Sequence, residues 1–278
     1  MVLQSTPDIV NAAAAAGQGA GAFNVIQIEL AEALTAGATD VNAPVILQIS
    51  ENAVKYHGGL APIANATLTI ARQSPTPVAV HLDHAESVEL IYEAVALGFT
   101  SVMFDGSHLD YDENVRVTAE VARYCHEHGV GIEAELGEVG GKDGVHAPGV
   151  RTRPDEAAAF VAATGVDALA VAVGSSHAMT IRDAALDFEL ICELREAVPV
   201  PLVLHGSSGV ADADLTRAVE AGMTKVNIST HLNHAFTDTV REVLAAQPEM
   251  VDTRKYLGPA REAVRTEVSR LLKILKAA

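Results

Sequence analysis

The strongest constraint on this chain is a strand-then-helix alternation that recurs along its length. Short β-rich runs bounded by turn residues fall at Gly21–Asn24, Val45–Ile49, Val78–Leu82, Ser101–Phe104, Val130–Glu135, Ala168–Val173, Leu202–His205 and Lys225–Ile228. Alanine-rich helical stretches separate them, including Ile28–Thr39, Ser87–Ala96, Asp112–His128, Pro154–Ala163, Phe188–Ala197 and Asp212–Ala221. Gly98, Gly129, Gly165 and Gly222 stand just before the next strand, where a helix end favours a residue without Cβ. Eight such units predict an α/β fold, a closed parallel (β/α)8 TIM barrel rather than an open sheet.

Length and composition fit that reading. A chain of 278 residues is the usual size for one barrel. Aromatics make up 4% with no Trp, so the core has to come from Val, Ile, Leu and Ala. No Pro/Gly/Ser-rich linker divides the sequence, which predicts one domain over 1–278 with a further C-terminal helix at Pro259–Lys276. Ala12–Ala16 suits a first helix. The glycine-rich Leu136–Arg153 segment, following the fifth strand, is placed to act as a lid.

The formal net charge of -17 argues against a nucleic-acid partner, because binding a phosphate backbone needs a basic surface. Cys125 and Cys192 are too few and too far apart for a disulfide framework or a cysteine metal site. Neither a leader at Met1–Ile9 nor an apolar run of spanning length is apparent, so a cytoplasmic protein away from the membrane is expected.

Barrel enzymes carry their chemistry at the C-terminal ends of the strands. Here those ends hold Asn24, Ser50, Asp83, His84, Asp105, Glu135, His177, His205 and Asn227. His84, His177 and His205 come from three strand ends and can meet at one metal with a coordination position left open. The other histidines, His57, His108, His126, His128, His146, His231 and His234, are read as structural. Asp83, on the same strand face as His81, is a candidate general acid and base. Asp105 and Glu135 are candidates to orient ligands or to bind a cation themselves. Gly206, Ser207, Ser208 and Gly209 after strand seven, with Ser229 and Thr230 after strand eight, form the loop pair from which barrels build phosphate sites.

Several ordered motifs carry a family resemblance: Ala22-Phe23-Asn24-Val25, His81-Leu82-Asp83-His84, Ser101-Val102-Met103-Phe104-Asp105-Gly106-Ser107-His108, Glu133-Ala134-Glu135-Leu136-Gly137, Leu204-His205-Gly206-Ser207-Ser208-Gly209 and Lys225-Val226-Asn227-Ile228. With Ala43-Pro44-Val45-Ile46 they run nearly end to end, and the chain resembles the class II fructose-bisphosphate and tagatose-bisphosphate aldolases. The resemblance implies one catalytic Zn2+ on His84, His177 and His205, with Asp105 and Glu135 close by. It also implies a monovalent cation, Na+ or K+, on carbonyls near His177 and Gly206. Asp83 is implied as the acid and base at the aldehyde-derived oxygen, with an enediolate stabilised by zinc. The residue 206–209 and 227–230 loops are implied to hold the dihydroxyacetone-phosphate end, with Ser50 nearby. Arg254 resembles the family arginine for the other phosphate, supplied to a neighbouring subunit, and a homodimer or homotetramer is implied.

Many relatives carry Glu-Asp or Glu-Glu-Asp after the lid's Gly-Gly. This chain has Lys142-Asp143-Gly144, which makes Asp143 the substitute for the lid carboxylate. The partner implied is a phosphosugar, fructose 1,6-bisphosphate first, tagatose 1,6-bisphosphate next, or another phosphorylated ketose. A metal-dependent hydrolase would want an H-x-H pair where Asn24 stands, and a non-catalytic phosphosugar-binding subunit would be expected to have lost a metal ligand or Asp83. Schiff-base chemistry lacks a well-placed lysine, Lys225 being read at the strand end away from the site.

Overall fold

The computed structural model describes residues 3–136, 151–177 and 179–277. Its strands are β1 (Ala20–Asn24), β2 (Val45–Ser50), β3 (Val78–Ala85), β4 (Ser101–Phe104), β5 (Gly131–Leu136), β6 (Ala168–Val171), β7 (Leu202–Leu204) and β8 (Met223–Ile228). Each pairs in parallel with the next and β8 returns to β1, closing the expected eight-stranded barrel. The helices are α1 (Thr6–Ala16), α2 (Ile28–Asp40), α3 (Glu51–His57), α4 (Ala61–Gln73), α5 (Val88–Leu97), α6 (Tyr111–Glu127), α7 (Pro154–Thr164), α8 (Phe188–Ala197), α9 (Asp212–Ala221), α10 (Thr230–Ala246) and α11 (Arg254–Ile274).

Side-chain chemistry sets these boundaries. Ser50, Ser87, Asp110 and Asp187 each accept a backbone N–H three residues on, capping α3, α5, α6 and α8. Gly98 and Gly165 end α5 and α7 in the left-handed region. The expected sixth strand runs two residues too far: Ala172 exchanges hydrogen bonds with Thr152 instead of extending the ladder. The expected seventh strand includes His205, but β7 ends at Leu204, just before the left-handed Gly206.

Val, Ile, Leu and Ala fill the main core between sheet and helices. A second cluster, Ile9, Val10, Ala13, Ala20, Ala22, Ile46 and Ala79, packs α1 into the N-terminal end of the barrel. A Cβ on Gly131 would lie 2.4 Å from Pro7 Cγ, so the plug needs a glycine there. The end opposite this plug remains for chemistry.

The C-terminal helix begins at Arg254, five residues before the expected Pro259, which lies inside it. Pro259 is the sixth residue of α11, past the first turn where proline is favoured, so reading it as the helix start placed the N-terminus too late. α11 lies close on α2: a Cβ on Gly37 would come within 2.6 Å of the Arg265 carbonyl, and Ser269 Oγ donates to the Gly37 carbonyl at 2.9 Å. No described helix is long and apolar enough to cross a membrane.

Candidate active site

Regular alternation along β3 points His81 and Asp83 into the barrel and would point His84 out toward the helices. The ladder breaks between Leu82 and Ala85, and His84 takes φ 50°. This bulge turns the imidazole inward, so two consecutive residues face one mouth. A non-glycine residue held in the left-handed region costs about 1–2 kcal/mol. The packing around β3 bears that cost where function needs it.

The three imidazoles do converge. Ring centroids of His84 and His205 lie 4.6 Å apart, His84 and His177 4.9 Å, and His177 and His205 5.6 Å. With Glu135 they offer ligand atoms that all lie within 4.8 Å of one another.

Their outer hydrogen bonds fix which atoms face inward. His84 Nδ1 lies 2.7 Å from Asp105 Oδ2, a carboxylate that only accepts. The proton therefore sits on Nδ1, and the buried Nε2, which has no hydrogen-bond partner among the described residues, carries the lone pair. His205 Nε2 donates to Glu133 Oε1 at 2.9 Å, leaving Nδ1 toward the cluster, 3.3 Å from Glu135 Oε2. Burial opposes charge on His205, but Glu133 and Glu135 outweigh it and raise its pKa to about 9. An imidazole flanked by two carboxylates in this way is equally suited to a divalent cation in place of a proton. The donor set of three imidazoles and one carboxylate, with carboxylates behind two of the rings, fits a metal. Asp105, grouped with the metal residues on sequence grounds, is not in this cluster. It stands behind His84 and orients it, because β4 delivers it to the Nδ1 side of the ring.

Asp83 lies beside the cluster, buried. Asn24 Nδ2 and Gln48 Nε2 donate to its Oδ2, both at 3.4 Å, and Asn227 Nδ2 donates to Oδ1 at 3.3 Å. Gln48 also donates to Asn24 Oδ1 at 2.8 Å, locking the two amides together. Burial opposes ionisation of Asp83, yet the charges of His84, His205 and Lys225 hold its carboxyl below the ordinary carboxylate range.

Beneath the cluster lies a buried line of charge. Lys225 Nζ sits 2.9 Å from Glu133 Oε2, both within the barrel. Burial pushes Glu133 up, but Lys225 and His205 more than reverse this and hold it well below the usual range. His81, lowered to about 3 by burial and then by Lys225, stays neutral with Nδ1 2.6 Å from Ser101 Oγ. Lys225 is the third residue of β8, not its first, and its side chain is committed to Glu133. It lies outside the upper cavity.

That cavity, about 310 Å³, is lined by eleven of the residues singled out in the sequence: Asn24, Ser50, Asp83, His84, His177, Gly206, Ser207, Ser208, Asn227, Ser229 and Thr230. Ser208 Oγ accepts from the N–H groups of Ser229 and His231, both at 3.2 Å, so the loops after β7 and β8 form one structure. Gly206, at φ 65°, lets this turn meet the β6 loop: a Cβ there would lie 2.5 Å from the Ser176 carbonyl carbon. α10, which starts at Thr230, presents its N-terminus to the cavity, where helix dipole and backbone donors favour an anion.

Among the described residues, His205, Asp105 and Glu135, which lie in or behind the histidine cluster, and Gly209 and Arg254 do not line the cavity. Gly209 is buried behind it, where a Cβ would strike Met179. Arg254 is 89% exposed and paired with Asp252 at 2.9 Å. It heads α11 on the surface, so within one chain it does not reach the site. Asp143 and most of the expected lid lie outside the described residues. Gln48, Glu133 and Lys225 were missed. Each lies two residues from a site residue on the same strand, at Ser50, Glu135 and Asn227, and that parity was the available signal.

The family description "Fructose-bisphosphate aldolase class-II" matches residues 4–278. The chain is 40% identical to the fructose-bisphosphate aldolase of Geobacillus stearothermophilus over 272 residues, spanning 96% of this chain and 95% of that protein. Among solved structures it superposes on the YdjI aldolase of Escherichia coli K12 with a TM-score of 0.87 and 32% identity, over 100% of this chain and 98% of that one. The fructose-bisphosphate aldolase of Campylobacter jejuni gives 0.84 and 25%, over 99% and 96%. The barrel, the histidine cluster at its mouth and this end-to-end similarity agree: the chain belongs to the class-II fructose-bisphosphate aldolase family and is an aldehyde-lyase.

Proposed function

We propose that the chain reversibly cleaves a ketose 1,6-bisphosphate, fructose 1,6-bisphosphate first and tagatose 1,6-bisphosphate next, to dihydroxyacetone phosphate and glyceraldehyde 3-phosphate. The observation that carries this is the convergence of His84, His177 and His205 beside Asp83 in a cavity that also holds an anion-binding loop pair. Zinc on the three histidines, with Glu135 adjacent, would supply a Lewis acid that polarises the substrate carbonyl. Backbone carbonyls near His177 and Gly206 are the proposed seat of a monovalent cation.

The chain's own residues supply the rest. The turn at 206–208 and the α10 N-terminus bind the phosphate of the dihydroxyacetone half and fix its carbon skeleton over the cluster. Ser50 keeps its hydroxyl oxygen on the Ala53 N–H at 3.2 Å, which leaves its hydrogen to donate into the cavity. Asp83, held by three amides, removes the proton from the hydroxyl that becomes the aldehyde oxygen and returns it in the reverse direction. Its neighbours Asn24, Gln48 and Asn227 set the angle of the carboxylate.

Cleavage of fructose 1,6-bisphosphate and tagatose 1,6-bisphosphate, assayed side by side by release of dihydroxyacetone phosphate, tests this. Turnover of at least one, with fructose 1,6-bisphosphate faster, is expected. Turnover of neither by zinc-loaded protein would overturn the proposal.

A further inference from the structure

The loops that leave β6, β7 and β8 touch one another at the barrel mouth. The Ala184 N–H donates to the Gly209 carbonyl at 3.0 Å, joining the β6 loop to the β7 loop. Ser208 Oγ takes the N–H groups of Ser229 and His231, joining β7 to β8. A second connection runs outside these contacts, through side chains that neither line the cavity nor belong to the histidine cluster. It begins at Arg182, beyond His177 on the β6 loop. Arg182 Nε and Nη2 both donate to the Val210 carbonyl, at 2.8 and 2.5 Å, and Nη2 also lies 2.6 Å from Asp212 Oδ1.

Asp212, the first residue of α9, accepts Arg270 of α11 on its other oxygen. Burial opposes charge on Asp212, but Arg270 and Arg182 outweigh it and hold its carboxyl below the ordinary range. Arg270 Nε and Nη2 donate in turn to Glu267 Oε2 and Oε1, at 2.8 and 2.6 Å, and Glu267 Oε1 accepts from His231 Nε2 at 2.5 Å. The line closes at His231, whose own backbone N–H holds Ser208. Opposite charges alternate along it, and each end is fixed to the backbone of a mouth loop. Arg265, on the same helix, makes a different kind of brace: its Nε and Nη2 donate to Asp40 at 2.6 and 2.7 Å and join α11 to α2, away from the cavity. An anion shared between the turn at 206–208 and the α10 N-terminus needs those two sets of donors at one spacing, and at one distance from His177.

We propose that Arg182, Asp212, Arg270, Glu267 and His231 form one strut that sets the phosphate turn at a fixed distance from the β6 loop carrying His177, with Asp212 as its joint. This rests on the aldolase reading above. These are positioning residues, and none of them touches the reacting carbons. Their contribution appears in the binding of the half of the substrate that the turn holds.

The test follows condensation of dihydroxyacetone phosphate with glyceraldehyde 3-phosphate in zinc-loaded wild type, Asp212→Asn, Arg182→Met and, as a control for loss of a brace elsewhere on α11, Arg265→Met. In D212N and R182M, KM for dihydroxyacetone phosphate is expected to rise about fivefold or more, with KM for glyceraldehyde 3-phosphate within about twofold of wild type. Both KM values should stay at wild type in R265M. Calorimetric binding of dihydroxyacetone phosphate alone should weaken in D212N by the factor seen in its KM. Arg182 and Glu267 share no hydrogen bond or ion pair among the described residues, so combining R182M with Glu267→Gln should raise KM by less than the product of the single effects. R182M leaves the Asp212–Arg270 pair in place and carries the test if D212N does not fold. With wild type active, equal changes in both KM values, changes no larger than in R265M, or single effects that multiply in the double variant would overturn the strut and leave the aldolase reading standing. Wild type that does not condense the two substrates would overturn both.

Discussion

Replacing Lys225 with Met removes the charge that balances Glu133 while nearly conserving side-chain volume. Both groups are buried and 2.9 Å apart, so the variant leaves a carboxylate inside the barrel with only His205 as a close charge-bearing partner. Breaking one side of a buried pair costs about 3–5 kcal/mol. The remaining hydrogen bond from His205 Nε2 puts the expectation at the lower end, about 3 kcal/mol. Unfolding entropy of about 2.1 cal/mol/K per residue, over 278 residues, gives roughly 0.6 kcal/mol per degree, so Tm should fall by about 5 °C. Scanning calorimetry in the presence of a chelator reads the protein alone, without differences in metal content. The double variant Lys225→Met with Glu133→Gln removes both charges, and its amide oxygen can still accept from His205. It should recover at least half of the loss. A fall in Tm under about 1.5 °C for the single variant, or a double variant as unstable as the single, would refute the buried-pair reasoning.

Two further outcomes follow from the geometry. Asp83→Asn keeps the shape but removes the proton acceptor, and steady-state assay should show kcat down by about 10²–10⁴ with metal content unchanged; a loss under tenfold would remove Asp83 from the chemistry. Glu267, on α11, bonds His231 and Arg270, and although its burial opposes ionisation these partners hold its pKa at about 2, below its ordinary 4.5. Its stabilisation is therefore complete above pH 4.5 and is lost as pH falls from there toward 2. Glu267→Gln, which weakens charged hydrogen bonds of a half-buried group, should cost about 2 kcal/mol at neutral pH and converge with wild type in acid unfolding scans; a constant gap across that range would contradict the assignment.

Much of this fold could be read from local signals. Serine and aspartate caps and glycine helix ends act within a few residues, and the eight strands follow from them with their ends shifted by at most three residues and β4 not shifted at all. The pair α3 and α4 was legible but unread: Gly58 ends α3 in the left-handed region and Pro62 opens α4. The site residues at strand ends were visible because polar side chains there interrupt apolar runs. His84 was identified as a ligand, yet the bulge that turns it inward depends on pairing with β4 and leaves no mark in the His81–Ala85 sequence. The contacts of Glu133 with Lys225 and His205 join residues 72 to 92 apart in the chain. Such pairs become legible only when the barrel closes. Asp105 and Arg254 were recognised by residue type, but their places depend on tertiary packing: of the two roles read for Asp105, its bond to His84 fits the orienting one, and Arg254 is exposed on its own chain, as a residue supplied to a neighbouring subunit would be.

The most direct test of the central claim is a metal titration of the chelator-stripped protein, following bound zinc and fructose 1,6-bisphosphate cleavage together, in wild type and His84→Ala. Wild type should bind one catalytic zinc per chain and gain activity in proportion to it, whereas H84A should bind zinc far more weakly and stay inactive. Full activity in the stripped protein, or an H84A variant that binds and turns over like wild type, would contradict the account.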